Sequence, residues 1–300
     1  MSSNQAIQKS RRGAAQGLSA RRRIYNVGMR TLIYIAAAIV VALLVFLLGY
    51  ILYRGLPNLT WEFLTSEESV VRDVQGIGPA ILNTLYVIIA TLVVVLPLGV
   101  GSAIYLTEYA TNRKLVAAIE FATETLAGIP SIIYALVGVL VFAESLALGK
   151  TLIAGAFTLV IMVLPTVIRT TQESLKTVPA SYREGSLGLG SGKWHMIRTV
   201  VLPSSIDGIV TGCILAIGRI VGESAVLLYP VGRSMPTQDF FRNGLESFFS
   251  ASGSTLSVAL YVYAKVRADF DLAFSVAVVL IIITLVINLA ANLAGRKLKK

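Results

Sequence analysis

Tyr-Arg-Glu-Gly-Ser-Leu-Gly-Leu-Gly, at residues 182–190, is separated by nine residues from Val-Val-Leu-Pro, at residues 200–203. The first segment is polar and interrupted by glycine, whereas the second leads directly into an apolar run that carries Arg219 and Glu223. A second apolar run ends shortly before the first segment, near Ile168. The stretch therefore predicts a short structured loop between two membrane-spanning helices.

The loop itself is predicted to contain one short helix. Pro179 is suited to the first turn of that helix, and Ser181 with Glu184 alternatively forms a capping box. With either start the helix is expected to end near Gly188–Gly190, because glycine readily adopts the left-handed conformation that terminates helices. A second turn then leads to Pro203, which opens the next membrane span.

The composition defines the class of protein. Apolar residues make up 55% of the 300 residues and charged residues 14%, with a mean hydropathy of +0.76. A soluble domain of this length does not have such a composition. The chain is therefore predicted to cross a membrane several times.

Six membrane spans are predicted. An apolar helix needs about 20 residues to cross a bilayer. Five uncharged stretches of about that length are present, at residues 31–50, 81–107, 127–143, 151–168 and 272–293. A sixth stretch, 206–228, contains Arg219 and Glu223, so it is expected to face a protein interior or a pore. Pro97, Pro130 and Pro165 are expected to bend three of the spans. The predicted fold class is an all-α membrane protein.

The net charge of +10 lies at the two ends of the chain. Residues 1–30 contain seven Lys and Arg and no acid, and residues 296–300 contain four more basic residues. Since basic flanks remain in the cytoplasm, both termini are expected there, in agreement with an even number of spans. The charge therefore does not indicate nucleic-acid binding.

The same rule assigns the loops. Residues 54–79 are net acidic and are expected outside, together with residues 231–271, whose Phe240-Phe241 and Phe248-Phe249 pairs predict short interfacial elements. The basic loop 170–203 is expected in the cytoplasm. The predicted organisation is a cytoplasmic tail (1–30), a first membrane helix (31–53) and a transmembrane domain (76–295).

The spacing in the loop resembles the coupling-loop signature of ABC importer permeases: Glu-Ala-Ala, three residues, Gly, nine residues, Ile, one residue, Leu-Pro. Glu184, Gly190, Val200 and Leu202-Pro203 match it, while Gly185 and Ser186 replace the two alanines by other small residues. Further segments resemble PstA-type permease subunits of phosphate importers, from about residue 76 onward. They are Gly-Ile-Gly-Pro-Ala-Ile (76–81), Tyr-Leu-Thr-Glu-Tyr-Ala (105–110), Ile-Pro-Ser-Ile-Ile-Tyr (129–134) and Gly-Arg-Ile-Val-Gly-Glu-Ser (218–224).

The resemblance implies a type I ABC importer permease fold and a set of partners. These are a PstC-like permease subunit, two PstB-like ATPases and a PstS-like phosphate-binding protein, in the cytoplasmic (inner) membrane. The chain itself would be no enzyme and would bind no cofactor, since ATP and Mg belong to the partner ATPase. The residues expected to couple to that ATPase are Arg183, Glu184, Gly185, Gly190, Leu202 and Pro203.

The candidates for the substrate path are charged residues inside predicted spans. Arg219 and Glu223 are four residues apart and would share one helix face, where they either form a static ion pair or leave Arg219 free for a passing anion. Arg169, at the inner end of its span, is a second candidate. Cys213 and His195 are each the only residue of their type, and no metal site is expected. A permease for sulfate or molybdate, and a regulatory membrane subunit, are the alternative functions.

Overall fold

The computed structural model describes residues 2–67, 76–231 and 252–298, with side chains described between residues 22 and 297. All regular elements in these ranges are helical. We number the α-helices α1 (Ser2–Gly55), α2 (Trp61–Thr65), α3 (Gly78–Ile104), α4 (Arg113–Ala127), α5 (Ser131–Val137), α6 (Leu152–Thr177), α7 (Ala180–Gly188), α8 (Lys193–Met196), α9 (Leu202–Gly222), α10 (Ala225–Leu228), α11 (Leu256–Tyr261) and α12 (Phe270–Leu298). The predicted all-α fold class is confirmed.

Five helical stretches of the described chain are long and apolar enough to cross a membrane. They are Arg22–Asn58, Gly78–Tyr109, Leu152–Thr177, Lys193–Gly222 and Phe270–Lys297. A further apolar pair of helices, Arg113–Ala127 and Ser131–Ser145, is bent by 101° at the break between them, which is the geometry of a broken span or of a re-entrant loop. The expected number of six spans is reached only when this pair counts as one span.

The bent pair differs from the continuous span predicted at 127–143. Pro130 has no backbone N–H and stands immediately before α5, where its φ of −57° and ψ of 138° leave the helical region. Residues 128–130 therefore separate two helices rather than kinking one. Pro97 and Pro165, in contrast, lie inside the long helices α3 and α6, as predicted.

Residues 1–53 form one compact unit, which consists of most of α1. The predicted first membrane helix, 31–53, lies in this unit and within the apolar stretch Arg22–Asn58, whose last five residues belong to the second unit. The predicted tail, 1–30, is helical from Ser2 onward. Residues 54–300 form the second unit, which contains the other helices.

The core of the second unit is formed by α3, α6 and α9, with α12 packed against α9. Small residues allow α6 and α9 to approach closely: side chains at Gly208 or Gly212 would collide with Ser174 or Thr170. The hydroxyl of Ser174 also donates to the carbonyl of Ser205 at 2.8 Å. These contacts hold the two helices that flank the 178–201 segment.

Part of the predicted outer loop 231–271 is also packed into the core. Leu256–Val266 is a short apolar helical segment, and Leu256, Ala259 and Tyr263 are buried beside Phe63 and Ile77. The two phenylalanine pairs, at 240–241 and 248–249, lie outside the described residues. Burial of Leu256, Ala259 and Tyr263 shows that the second half of this predicted loop contributes to the fold.

Candidate functional site

The inter-helix loop, residues 178–201, connects α6 to α9. The predicted loop 170–203 begins inside α6, which continues to Thr177. The short helix α7 starts directly after Pro179, and no side chain caps its first turn. Ser181 lies within the helix, so the proline start is observed and the capping box is not. The predicted short helix between Pro179 and Gly188 is confirmed.

Gly190 reverses the chain after α7. Its φ of +83° lies in the left-handed region, which side chains with a Cβ atom disfavour. A Cβ at Gly190 or Gly185 would meet no atom within 4 Å. Packing within this chain therefore does not require a small residue at Gly185, whereas the backbone conformation does require glycine at position 190.

The loop exposes both charged and apolar side chains. Glu184 is exposed, and Leu189 keeps 91% of its surface accessible. Tyr182 and Trp194 are also exposed. Several exposed apolar side chains within one short segment, together with an exposed carboxylate, are typical of a surface that a partner protein covers.

Arg183 differs from its neighbour Glu184 because it points into the protein. Its Nη2 lies 2.8 Å from Oε1 of Glu108, and its side chain is 21% exposed. The same guanidinium donates to the carbonyls of Leu175 and Val178. The sequence pattern grouped Arg183 with the residues facing the ATPase, whereas the structure places its side chain in internal contacts.

Leu202 and Pro203 begin α9. A stretch of π-helix, Ile197–Val201, joins α8 to this start. Pro203 stands in the first turn of α9, where its missing N–H leaves no hydrogen bond unmade. The helical stretch that contains the span nevertheless starts at Lys193, so the prediction that Pro203 opens the span was wrong: Pro203 lies inside a continuous helical stretch.

Arg219 and Glu223 do not form the static ion pair considered from the sequence. Helix α9 ends at Gly222, and Glu223 has an extended backbone with φ −87° and ψ 105°. The two residues therefore do not share a helix face. A carboxylate oxygen of Glu223 instead accepts from the amide of Val226 at 3.4 Å, and its carbonyl accepts from Ser257 Oγ at 3.1 Å. Glu223 links three short segments at this end of the bundle.

Arg219 has one polar contact in the described part of the chain. Its Nη1 donates to Oγ1 of Thr166 on α6 at 3.3 Å, and the side chain is half-buried. Within residues 22–67, 76–231 and 252–297, no carboxylate lies within 4 Å of it. A guanidinium retains its charge, so Arg219 is a cation with unused donors in the last turn of α9, three residues before that helix ends at Gly222.

Arg169 is neutralised by acidic partners. It forms ion pairs with Glu124 on α4 and with Glu173 one turn later on α6. Beside it, Glu120 accepts from Lys176 at 3.1 Å and from Gln172 at 3.3 Å. The i, i+4 spacing of Glu120 and Glu124 on α4 is the sequence signal for this cluster, but the predicted spans 81–107 and 127–143 include almost none of α4.

Two adjoining cavities lie along this cluster. The smaller has about 180 Å³ and is lined only by polar and charged side chains of α4 and α6. The larger is an open cleft of about 530 Å³ that includes Arg169 and extends to Thr166. Thr166 also accepts the hydrogen bond from Arg219. The wall of this cleft therefore contains Arg169 itself and the residue that Arg219 contacts.

Four long apolar helices and one bent pair in the second unit, with a structured polar loop between two of the long helices, are typical of a membrane permease. The family described as binding-protein-dependent transport system inner membrane component matches residues 95–300. The chain belongs to this family of permease subunits of ABC importers. Such a subunit lies in the inner membrane and is not catalytic itself. It works with a separate ATPase and with a substrate-binding protein.

Individual relatives support the same family. A probable ABC transporter permease protein of Bacillus subtilis, YqgI, is 38% identical over 206 residues, which cover 69% of this chain and 70% of that protein. The phosphate transport system permease protein PstA 1 of Mycobacterium tuberculosis is 34% identical over 226 residues, or 72% of each chain. PstA of Xylella fastidiosa is 32% identical over 72% of this chain and 75% of its own. The resemblance to PstA-type permeases is confirmed.

Solved structures support the fold. A bacterial ABC transporter involved in alginate import has a chain with a TM-score of 0.62 and 16% identity, covering 93% of this chain and 100% of that chain. A chain of the inward-facing MetNI methionine ABC transporter has a TM-score of 0.57 and 20% identity, covering 75% of this chain and 95% of that chain. At these identities the likeness is one of fold alone. The predicted type I importer fold is confirmed.

Proposed function

We propose that this chain carries inorganic phosphate across the membrane as one of two permease subunits of an ATP-driven importer. The observation that carries the proposal is the position of Arg219, a permanent cation in a span with no acidic partner in the described chain. A multiply charged oxyanion needs such a compensating charge at low dielectric. PstA proteins at 30–34% identity are the relatives that favour phosphate among oxyanions.

In this proposal Arg219 is the anion-binding residue of the path and Thr166 orients it. Glu223 does not contact the anion, because it holds the end of α9 against α10 and α11. Arg169 is excluded from the anion site, since Glu124 and Glu173 already neutralise it. The second permease subunit, a PstC-like chain, completes the path, and a PstS-like protein delivers phosphate from outside.

The inter-helix loop is proposed to dock on a PstB-like ATPase through the exposed surface of Glu184, Gly185 and Leu189. Gly190 shapes this surface, and the Leu202-Pro203 start of α9 connects it to the membrane. ATP and Mg bind to the ATPase. Closing of two ATPases on ATP would move both docked loops and switch the path from inward-facing to outward-facing.

Uptake of labelled oxyanions tests the substrate. Cells lacking this chain are compared with cells producing it, using radiolabelled phosphate, sulfate and molybdate separately. Restored uptake of phosphate alone supports the proposal. Restored uptake of sulfate or molybdate instead would identify another oxyanion permease, for which Arg219 is equally suited. No change in any uptake would favour a regulatory subunit.

Two further experiments test docking and orientation. Glu184→Lys inverts a charge on the proposed docking surface and should release the ATPase while the chain stays in the membrane. A reporter after Lys300 should be cytoplasmic and one inserted at Ser66 external. A bound ATPase in Glu184→Lys, or both reporters on one side, would contradict these two parts of the proposal.

A further inference from the structure

The end of α3 is held by the inter-helix loop through contacts that neither the family match nor the proposed docking accounts for. Residues Tyr105–Tyr109 continue α3 as a π-helical turn. Glu108 lies in this turn and is only 7% exposed. We infer that Glu108 is a positioning residue: it fastens the inter-helix loop to α3, so that movement of the docked ATPase is transmitted directly into α3. This inference rests on the proposed docking of the loop.

The first contact is made by Arg183 of α7. Its Nε and Nη2 donate to the same oxygen, Oε1 of Glu108, at 3.1 and 2.8 Å. Its Nη2 also donates to the carbonyl of Leu175 at 2.8 Å, and its Nη1 to the carbonyl of Val178 at 2.5 Å. One rigid, planar guanidinium thus connects the loop helix, the end of α6 and the end of α3. Lysine has a single nitrogen and could not make these contacts together.

The second contact comes from the other arm of the loop. Lys193, the first residue of α8, places its Nζ 5.0 Å from the ring centroid of Tyr109, within the range of a cation–π interaction. Glu108 and Tyr109 are neighbours in the π-helical turn. The π-helical turn is therefore contacted by two loop residues, Arg183 and Lys193, which lie on either side of Gly190 in the sequence.

An apolar cluster also joins the end of α3 to the loop. Ala103 and Ile104 of α3 pack against buried side chains of α6 and the loop. Those side chains are Leu175, Val178, Met196, Ile197 and Val201. The end of α3 and the loop consequently share one small core and are expected to move together.

The covalent chain does not provide this connection. The loop is continuous with α6 and α9, but Glu108 precedes Arg183 by 75 residues. Without the contacts described above, a displacement of the loop would reach α3 only through the packing of α3 against α6 and α9. The π-helical turn has a wider backbone than an α-helix and is common at functional sites, which suits a joint between a moving loop and a long span.

The test compares Glu108→Gln, Arg183→Gln and the double variant in the complete complex with its permease partner, ATPase and binding protein. Each single variant should reduce substrate uptake at least tenfold while the ATPase still co-purifies. The double variant should be no worse than either single variant, since one shared contact is lost in all three. Arg113→Gln, an exposed arginine just beyond the turn, is the matched control and should behave as wild type.

A labelling measurement reports movement of α3 without requiring the substrate to be known. Tyr105→Cys introduces a thiol at an exposed position of the turn, with Cys213→Ser removing the native one. Maleimide labelling should change its rate when Mg-ATP and vanadate close the ATPases. Glu108→Gln should reduce that change with the ATPase still bound, while the Lys193–Tyr109 contact and the apolar cluster remain. The labelling result does not depend on which substrate is transported, so it stays informative if the substrate is not phosphate. Whether the loop docks on the ATPase is tested separately by ATPase binding to Glu184→Lys.

Three results would overturn the inference. The first is Glu108→Gln with uptake within twofold of wild type and an unchanged labelling response. The second is loss of the ATPase from Arg183→Gln but not from Glu108→Gln, which would make Arg183 a direct docking residue. If neither glutamine variant accumulates, Glu108→Asp is used in their place. It keeps the negative charge, but its shorter side chain cannot bring the carboxylate as close to Arg183. Normal uptake by Glu108→Asp is the third contradicting result.

Discussion

Arg183 and Arg219 are two arginines of the same chain with opposite surroundings. Arg183 uses its guanidinium on one carboxylate and two carbonyls, and it connects three segments. Arg219 donates to one hydroxyl and lies within 4 Å of no carboxylate in the described residues. The comparison indicates that a satisfied arginine holds structure together, whereas an incompletely satisfied one in a span is available to a ligand.

The largest expected difference is in thermal stability, between the variants Arg183→Gln and Arg219→Gln. Arg183→Gln leaves Glu108 buried without its partner, which costs toward the lower end of about 3–5 kcal/mol. Arg219→Gln loses one long hydrogen bond to a hydroxyl, at 3.3 Å, and also removes the cost of keeping a half-buried charge, so its net cost is smaller. The unfolding midpoint of the purified chain in detergent should therefore fall by several degrees for the first variant and much less for the second. Equal decreases would mean that Arg219 is also structural.

Gly190→Ala should have an intermediate effect and sharpen the comparison within the loop. Placing alanine at a φ of +83° costs about 1–2 kcal/mol of local stability. Hydrogen exchange of the α7 amides should accelerate roughly 5–30-fold. Gly188→Ala is the matched control: its backbone is helical and its Cβ meets no atom, so exchange should be unchanged or slower. Similar acceleration in both would refute the conformational role of Gly190.

Glu124→Gln should have the smallest effect and tests the third arginine. Arg169 and both of its carboxylates are more than half exposed, and such ion pairs contribute about 0–1 kcal/mol. Since Glu173 remains, uptake should stay within twofold of wild type. Loss of uptake comparable to that of Arg219→Gln would place Arg169 in the substrate path after all.

The membrane spans were predictable because long apolar runs have no other stable arrangement in water or lipid. The bend at residues 128–130 was not, since Gly-Ile-Pro resembles other proline-containing segments that stay within one helix, as Pro97 and Pro165 do. The burial of Leu256 and Tyr263 was missed because a short apolar segment between polar loops has no periodicity that distinguishes packed from interfacial positions.

Within the site, the sequence predicted the loop helix and its glycine terminus because these depend on local backbone preferences. It could not separate Arg183 from Glu184, since adjacent residues of a helix point in directions about 100° apart and only the tertiary structure shows which is covered. Helical spacing also placed Arg219 and Glu223 on one helix face and left an ion pair between them as one of two alternatives. That pairing required α9 to continue past Gly222, where it ends.

Phosphate uptake by Arg219→Gln tests the central claim most directly. Cells lacking the native chain should receive either wild type, Arg219→Gln or Thr166→Val, with chain level and bound ATPase measured in parallel. The account predicts that Arg219→Gln accumulates, binds the ATPase and loses at least about tenfold in uptake, since a hydrogen bond to a charged group contributes about 1.5–3 kcal/mol. Thr166→Val should lose less, because the charge remains. Near-normal phosphate uptake by Arg219→Gln would contradict the account.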